Sequence, residues 1–229
     1  MKRFAIGLIM GAVALGMGSA QLAEAQIAGP KLALHVTGHA TKGRCSTASP
    51  NGTNTACSSF VTQGNLLTSY DVYIVIANAP VGGTQGVTFG ILYDGAAASG
   101  IGVFDWVGCG DLEFPGGGWP ESGGGNVVTW ATCQMEDIGG EGVQATVGSF
   151  YTYAYSNDFY QITRREYVPN PDLQWSSCAS GTSDFDQLQT GIAYFGGATG
   201  CNPCLIECMP IATEKTTWGG IKNKLSGGE

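Results

Sequence analysis

The densest group of chemically capable side chains in this 229-residue sequence lies between Cys109 and Cys133, in CGDLEFPGGGWPESGGGNVVTWATC. It gathers Phe114, Trp119 and Trp130 beside Asp111, Glu113 and Glu121, with Phe104 and Trp106 just upstream. A glycine-rich loop can hold a large ring toward solvent, and a flat ring stacks on a sugar while nearby carboxylates accept its hydroxyl hydrogens. Asp111, Glu113, Phe114, Trp119, Glu121 and Trp130 therefore form a candidate carbohydrate-binding platform. The competing reading folds Phe114 and Trp119 back over a sheet edge, because large rings dominate the cores of small β domains. Catalysis asks for more, since a glycosidase needs two carboxyls across a cleft, one protonated and one ionised. Asp111 and Glu113 stand two residues apart and share one face of any strand, so a partner such as Glu121 or Asp137 would be needed. A carboxylate-dependent glycan-active enzyme is accordingly the alternative to a non-catalytic module, and no catalytic residue is assigned.

The other chemistry-bearing residues are fewer. His35 and His39 are the only histidines, and on an alternating strand they share a side with Thr37, as a polar face or as two metal ligands. There is no Gly-x-Ser-x-Gly elbow, zinc-protease helix, phosphate-cradling loop or EF-hand acid pattern, so no cofactor or metal is expected. The eight cysteines all lie between Cys45 and Cys208, and an even count in an exported chain reads as disulfides. Neighbourhood pairs Cys45 with Cys57, Cys109 with Cys133, Cys178 with Cys201 and Cys204 with Cys208, although the sequence permits many other pairings. The Cys201-Asn202-Pro203-Cys204 spacing also fits a redox or zinc pair, but Pro203 and Pro210 do not suit the helix that a redox motif opens.

Export is read from the first 26 residues. Lys2 and Arg3 precede an uncharged run from Phe4 to Gly18, and Ala23-Glu24-Ala25 offers a small-x-small cleavage site. A membrane anchor is the other reading, but the run is shorter than the roughly 20 residues that span a bilayer. The expected organisation is a signal peptide at 1–25, a β-sandwich domain at 26–200 and a Cys-rich segment and tail at 201–229. A secreted protein, extracellular or periplasmic, follows from it. Net charge is −8, and from Cys45 to Thr163 no Lys, Arg or His occurs beside ten acids. Such a surface repels phosphate backbones and anionic headgroups, which argues against nucleic acid and membrane partners.

These residues need a scaffold, and the composition points to strands. There are 37 glycines and only 12% charged residues, the mark of short strands joined by tight turns. Alternation predicts strands over Lys31 to His39, Tyr70 to Asn78, Gly86 to Asp94, Ile101 to Val107, Asn126 to Cys133, Val143 to Tyr155, Phe159 to Thr163 and Gly191 to Phe195. The first should be half buried, with Leu32, Leu34 and Val36 inward, while YDVYIVIAN is apolar on both faces and should be interior. One short helix is predicted near Thr217 to Leu225, capped by a threonine. Strands without interspersed helices give an all-β fold, an antiparallel β-sandwich of Ig-like or jelly-roll type with disulfide-stapled loops.

The strands YDVYIVIANAP, GVTFGILYD and VGSFYTYAY resemble those of cohesin-like and carbohydrate-binding-module-like sandwiches of secreted bacterial proteins. The blocks Leu34-His35-Val36, Asp111-Leu112-Glu113-Phe114-Pro115 with Gly118-Trp119-Pro120, and Thr216-Thr217-Trp218-Gly219 resemble a group of uncharacterised exported proteins of environmental bacteria. The resemblance implies a secreted non-catalytic binding or structural module whose partner is a polysaccharide or a cell-surface protein. No dockerin-type calcium repeat accompanies it.

Overall fold

The structure, a computed structural model, describes residues 29–45, 54–96, 98–166, 172–179 and 181–211. The signal expected at 1–25 and the helix expected near Thr217 to Leu225 lie outside the described residues. Alternating apolar and polar residues give twelve strands here: β1 (Lys31–Gly38), β2 (Gln63–Gly64), β3 (Ser69–Ala79), β4 (Thr84–Leu92), β5 (Ile101–Gly108), β6 (Leu112–Glu113), β7 (Gly125–Gln134), β8 (Val143–Ala154), β9 (Asp158–Thr163), β10 (Gln174–Ser177), β11 (Gly181–Asp184) and β12 (Ile192–Phe195). Among the described residues the only helical elements are two single 3-10 turns, Cys57–Ser59 and Gln187–Gln189. No helix there is long and apolar enough to cross a membrane.

The strands make two packed sheets, as the sequence predicts. One has four strands in the order β1-β3-β8-β5, all antiparallel. The other runs β11-β10-β4-β9-β12-β2, with β7 on the free side of β4 and β6 on β7. Its one parallel pair is β12 with β2. Leu32, Leu34, Val72, Ile74, Ile76 and Phe150 from the first sheet meet Val87, Phe89, Ile91, Val128, Tyr160 and Ile162 from the second, all buried. On one side the sheets are joined where Gly191 N donates to Leu32 O at 2.8 Å and Val36 N donates to Val61 O at 2.8 Å.

A bulge sets which residues of β8 face outward. Ile74 pairs with Gly148 but Val75 pairs with Thr146, so Val147 is an extra residue. Inserting one residue reverses the side-chain phase. Val143, Ala145 and Val147 therefore face the core from one half of β8, and Phe150 and Ala154 from the other. The outward set of the second half is Ser149, Tyr151 and Tyr153. Gly148 is required at the bulge, since a Cβ there would lie 2.3 Å from the Trp106 ring.

The first strand departs from expectation. Residues Lys31 to Val36 of β1 are buried on both faces, because a second apolar cluster of Ala33, Cys57, Phe60, Tyr73, Val75, Ala77 and Cys204 covers the outside of β1 and β3. All eight cysteines are bonded, but as Cys45–Cys109, Cys57–Cys204, Cys133–Cys178 and Cys201–Cys208. None of the four neighbour pairs forms. Trp130 Nε1 donates to Cys109 O at 3.0 Å, and three further residues of extended strand carry Cys133 roughly 10 Å onward, to Cys178. Cys201 and Cys204 likewise have separate partners, so the Cys-x-x-Cys spacing holds neither a redox pair nor a zinc pair.

Candidate binding face

The excursion after Cys109 is drawn onto the sandwich and divides its six candidate residues. Leu112 and Glu113 pair with Thr129 and Val128, and Phe114 N donates to Val127 O at 2.9 Å. The partly buried Trp119 packs on Trp106 at 5.0 Å between ring centres and on Phe89 and Phe150 at 5.4 Å. Trp130 is buried. The Glu113 carboxylate accepts from Trp106 Nε1 at 3.0 Å and Asn126 Nδ2 at 2.9 Å, so it ties β5 to β7. Asp111 Oδ2 accepts from Ala131 N at 2.7 Å. Phe114 and Glu121 stay exposed. Large rings beside an open core edge gain more by burial than by exposure, which is why the two tryptophans turn inward.

A different set of rings faces solvent, on the outer side of the four-stranded sheet. Tyr151 and Tyr153 project from β8 and Tyr155 follows directly, with Tyr153 and Tyr155 in contact at 4.8 Å. On β5, Val103 pairs with Thr152 and Asp105 with Tyr151, leaving Phe104 as the extra residue of a bulge. Bulges re-aim a side chain, and Phe104 is 56% exposed, in contact with Tyr151 at 5.5 Å. His39 stacks on the same Tyr151 at 4.0 Å. Gly102 lies between Phe104 and Tyr155: a Cβ there would stand 2.8 Å from Tyr155 Cε2 and 3.2 Å from Phe104 Cζ. The absent side chain lets the two rings converge into one strip.

One end of the strip opens into a groove of about 560 Å³ lined by Phe104, Tyr155, Tyr93, Ser122 and Glu121 among others. Tyr93 donates through its hydroxyl to Pro120 O at 3.1 Å, and burial pushes its pKa up to about 12, so it stays a neutral donor. The other end is fixed by charge. Fully buried Asp71 accepts from Ala40 N at 2.8 Å, lies 3.0 Å from His39 Nδ1 and receives Arg44 Nη1 at 3.5 Å. Arg44 also pairs with Asp105, and the Cys45–Cys109 bond beside it anchors this segment to the end of β5. The basic partners of Asp71 and Asp105 thus come from just upstream of the base-free stretch.

The two histidines do not act together. His35 is 5% exposed, stacked on Phe60 at 4.8 Å, and its Nδ1 accepts from Val61 N at 2.9 Å. Among the described residues no three His, Cys, Asp or Glu side chains converge as metal ligands. Of the exposed strip, only Phe104 stood out in sequence. The tyrosines carried a visible signal in the Tyr-Thr-Tyr-Ala-Tyr period of 2, which puts all three rings on one face.

No protein-family model matches the chain, and no curated protein does. Among solved structures, the chain is similar to the sixth cohesin of scaffoldin B from Acetivibrio cellulolyticus, solved in complex with a mutant Cel5 dockerin (TM-score 0.43, 9% identity, 73% of this chain and 98% of that one). It is similar to the cohesin module of a family 33 glycoside hydrolase from Clostridium perfringens (TM-score 0.41, 6% identity, 72% and 97%). A third is the OlpA cohesin from Clostridium thermocellum, also in a dockerin complex (TM-score 0.42, 8% identity, 73% and 98%).

Proposed function

We propose that this chain is a non-catalytic extracellular binding module whose ligand, a polysaccharide or a surface protein, docks on the outer face of the four-stranded sheet. The observation that carries this is the strip of Phe104, Tyr151, Tyr153 and Tyr155, half open to solvent beside strands β1 and β3, which are buried along most of their length. Rings held by a rigid sheet lose little entropy on contact with a ligand. Four disulfides support an extracellular place, because such bonds persist in oxidising compartments. The carboxylates first considered for hydrolysis serve the fold instead: Glu113 holds Trp106 and Asn126, and Asp111 holds Ala131.

The test is retention of the purified chain on a panel of insoluble polysaccharides and on immobilised surface proteins, beside the Phe104→Ala, Tyr151→Ala double variant. The expected result is retention by at least one class, lost in the double variant, with no reducing sugar released. Sugar release abolished by Asp111→Ala or Glu113→Ala would instead establish the enzyme.

A further inference from the structure

We infer that the ligand of this face is an uncharged polysaccharide, whose chain lies along the aromatic strip and sends a hydroxyl-rich unit into the groove at Glu121. The inference rests on the binding-module reading above and narrows it to one class.

Three observations favour this ligand. The rings form two contacting groups, His39, Tyr151 and Phe104 at 4.0 and 5.5 Å and Tyr153 with Tyr155 at 4.8 Å, and Phe104 and Tyr155 flank Gly102, whose missing side chain keeps the space between them clear. The C–H face of a pyranose meets such a ring as an apolar plate, leaving its hydroxyls at the rim. The groove supplies what the rim needs. Its lining includes the Glu121 carboxylate, exposed and without an ion-pair partner among the described residues, while the neighbouring Tyr93 and Ser122 hydroxyls donate to Pro120 O and Tyr93 O and keep only acceptor capacity. A carboxylate accepts from two hydroxyls at once, and charge-assisted bonds of this kind are the strong ones. The volume of about 560 Å³ falls within the range of roughly 300 to 1,000 Å³ usual for small-molecule sites.

Charge selects among polysaccharides. Asp105 and Asp71 share the Arg44 guanidinium, which offsets part of their charge, and Glu121 is the carboxylate in the groove. The chain carries a net charge of −8, so a polymer of uronates or sulfates meets repulsion with no arginine in the groove to receive it. Binding through stacked rings and one carboxylate also responds weakly to salt.

The experiment is calorimetric titration of the full chain with hydroxyethylcellulose, galactomannan and soluble starch, and with alginate and polygalacturonate as anionic polymers, at low and high salt. The expected result is binding to at least one uncharged polymer, unchanged by salt, and none to the anionic pair. Phe104→Ala and Tyr155→Ala should each weaken it about tenfold, and Glu121→Ala about tenfold, while Glu121→Gln, which keeps an acceptor, stays within about threefold. All three side chains are partly or largely exposed, and unchanged melting temperatures confirm that the variants fold. Binding of the anionic polymers, or uncharged binding indifferent to Phe104 and Tyr155, overturns the assignment. No binding to any polymer, with a purified surface protein captured through Phe104, also overturns it and leaves the binding-module reading intact. Capture of neither class through these rings overturns both.

Discussion

Among single residues, His35 carries the clearest consequence. Its Nδ1 accepts the Val61 amide inside the sandwich seam, a role that only the neutral imidazole can fill. Burial therefore lowers its pKa to about 4, below the usual value of about 6.5. The unfolded chain takes up the proton first as pH falls, so the stability that His35 contributes is present above about pH 6.5 and is lost as pH falls through about 4. The difference amounts to about 3 kcal/mol. Urea unfolding at pH 7, 5 and 4 should show this loss in the natural chain and a smaller one in His35→Gln, whose side-chain oxygen still accepts from Val61. Equal slopes in the two proteins would refute the assignment. The sequence made His35 look like part of a polar face, because alternation does not reveal that Phe60 and Cys57 return to cover β1. The same blindness applied to Trp119 and Trp130. Their composition and glycine-rich setting were legible, but whether a ring turns in or out depends on an open core edge that only the folded sheets create.

At the level of elements, most strands were visible in the pattern, and what stayed hidden were departures from strict period 2. The extra residue at Val147 in β8 and the extra residue at Phe104 in β5 change which side chains face out, and neither leaves a mark in composition. Disulfide pairing was hidden for a related reason. Proximity along the chain favoured local loops, whereas Cys57–Cys204 closes a span of 147 residues and Cys45–Cys109 one of 64. Cross-linking a longer span removes more freedom from the unfolded chain, about 5 kcal/mol for the longest and about 2 kcal/mol for the seven-residue loop of Cys201–Cys208. Replacing Cys57 and Cys204 with serine should accordingly destabilise the protein by about 5 kcal/mol, and replacing Cys201 and Cys208 by about 2 kcal/mol, read from guanidinium unfolding at pH 7. The first pair also sits in the apolar cluster under Phe60, so its loss adds a packing defect. The reverse order would refute the account based on the length of the covalent span.

For the molecule as a whole, the proposed binding face adjoins the most secure part of the structure. β3 is buried along nearly all its length, with β1 and β8 bonded on either side, and β8 carries the tyrosines on its outer side. At the opposite extreme, β11 is fully exposed and paired only with β10, which itself touches the second sheet through part of β4. Opening free energies follow this gradient of burial, because a peripheral hairpin can separate without breaking the core. Hydrogen exchange should therefore find the amides of Val72 to Ile76 exchanging only through global unfolding, with Tyr151 and Tyr153 close behind, and those of Gly181–Asp184 exchanging orders of magnitude faster. Adding a bound polysaccharide should slow the Ile101–Gly108 amides more than those of β3, since β5 is the sheet edge beneath Phe104. A chain in which β11 is as protected as β3 would have one cooperative unit throughout. In the graded case the ligand meets rings whose backbone is already fixed, and little of its binding energy is spent on ordering the protein.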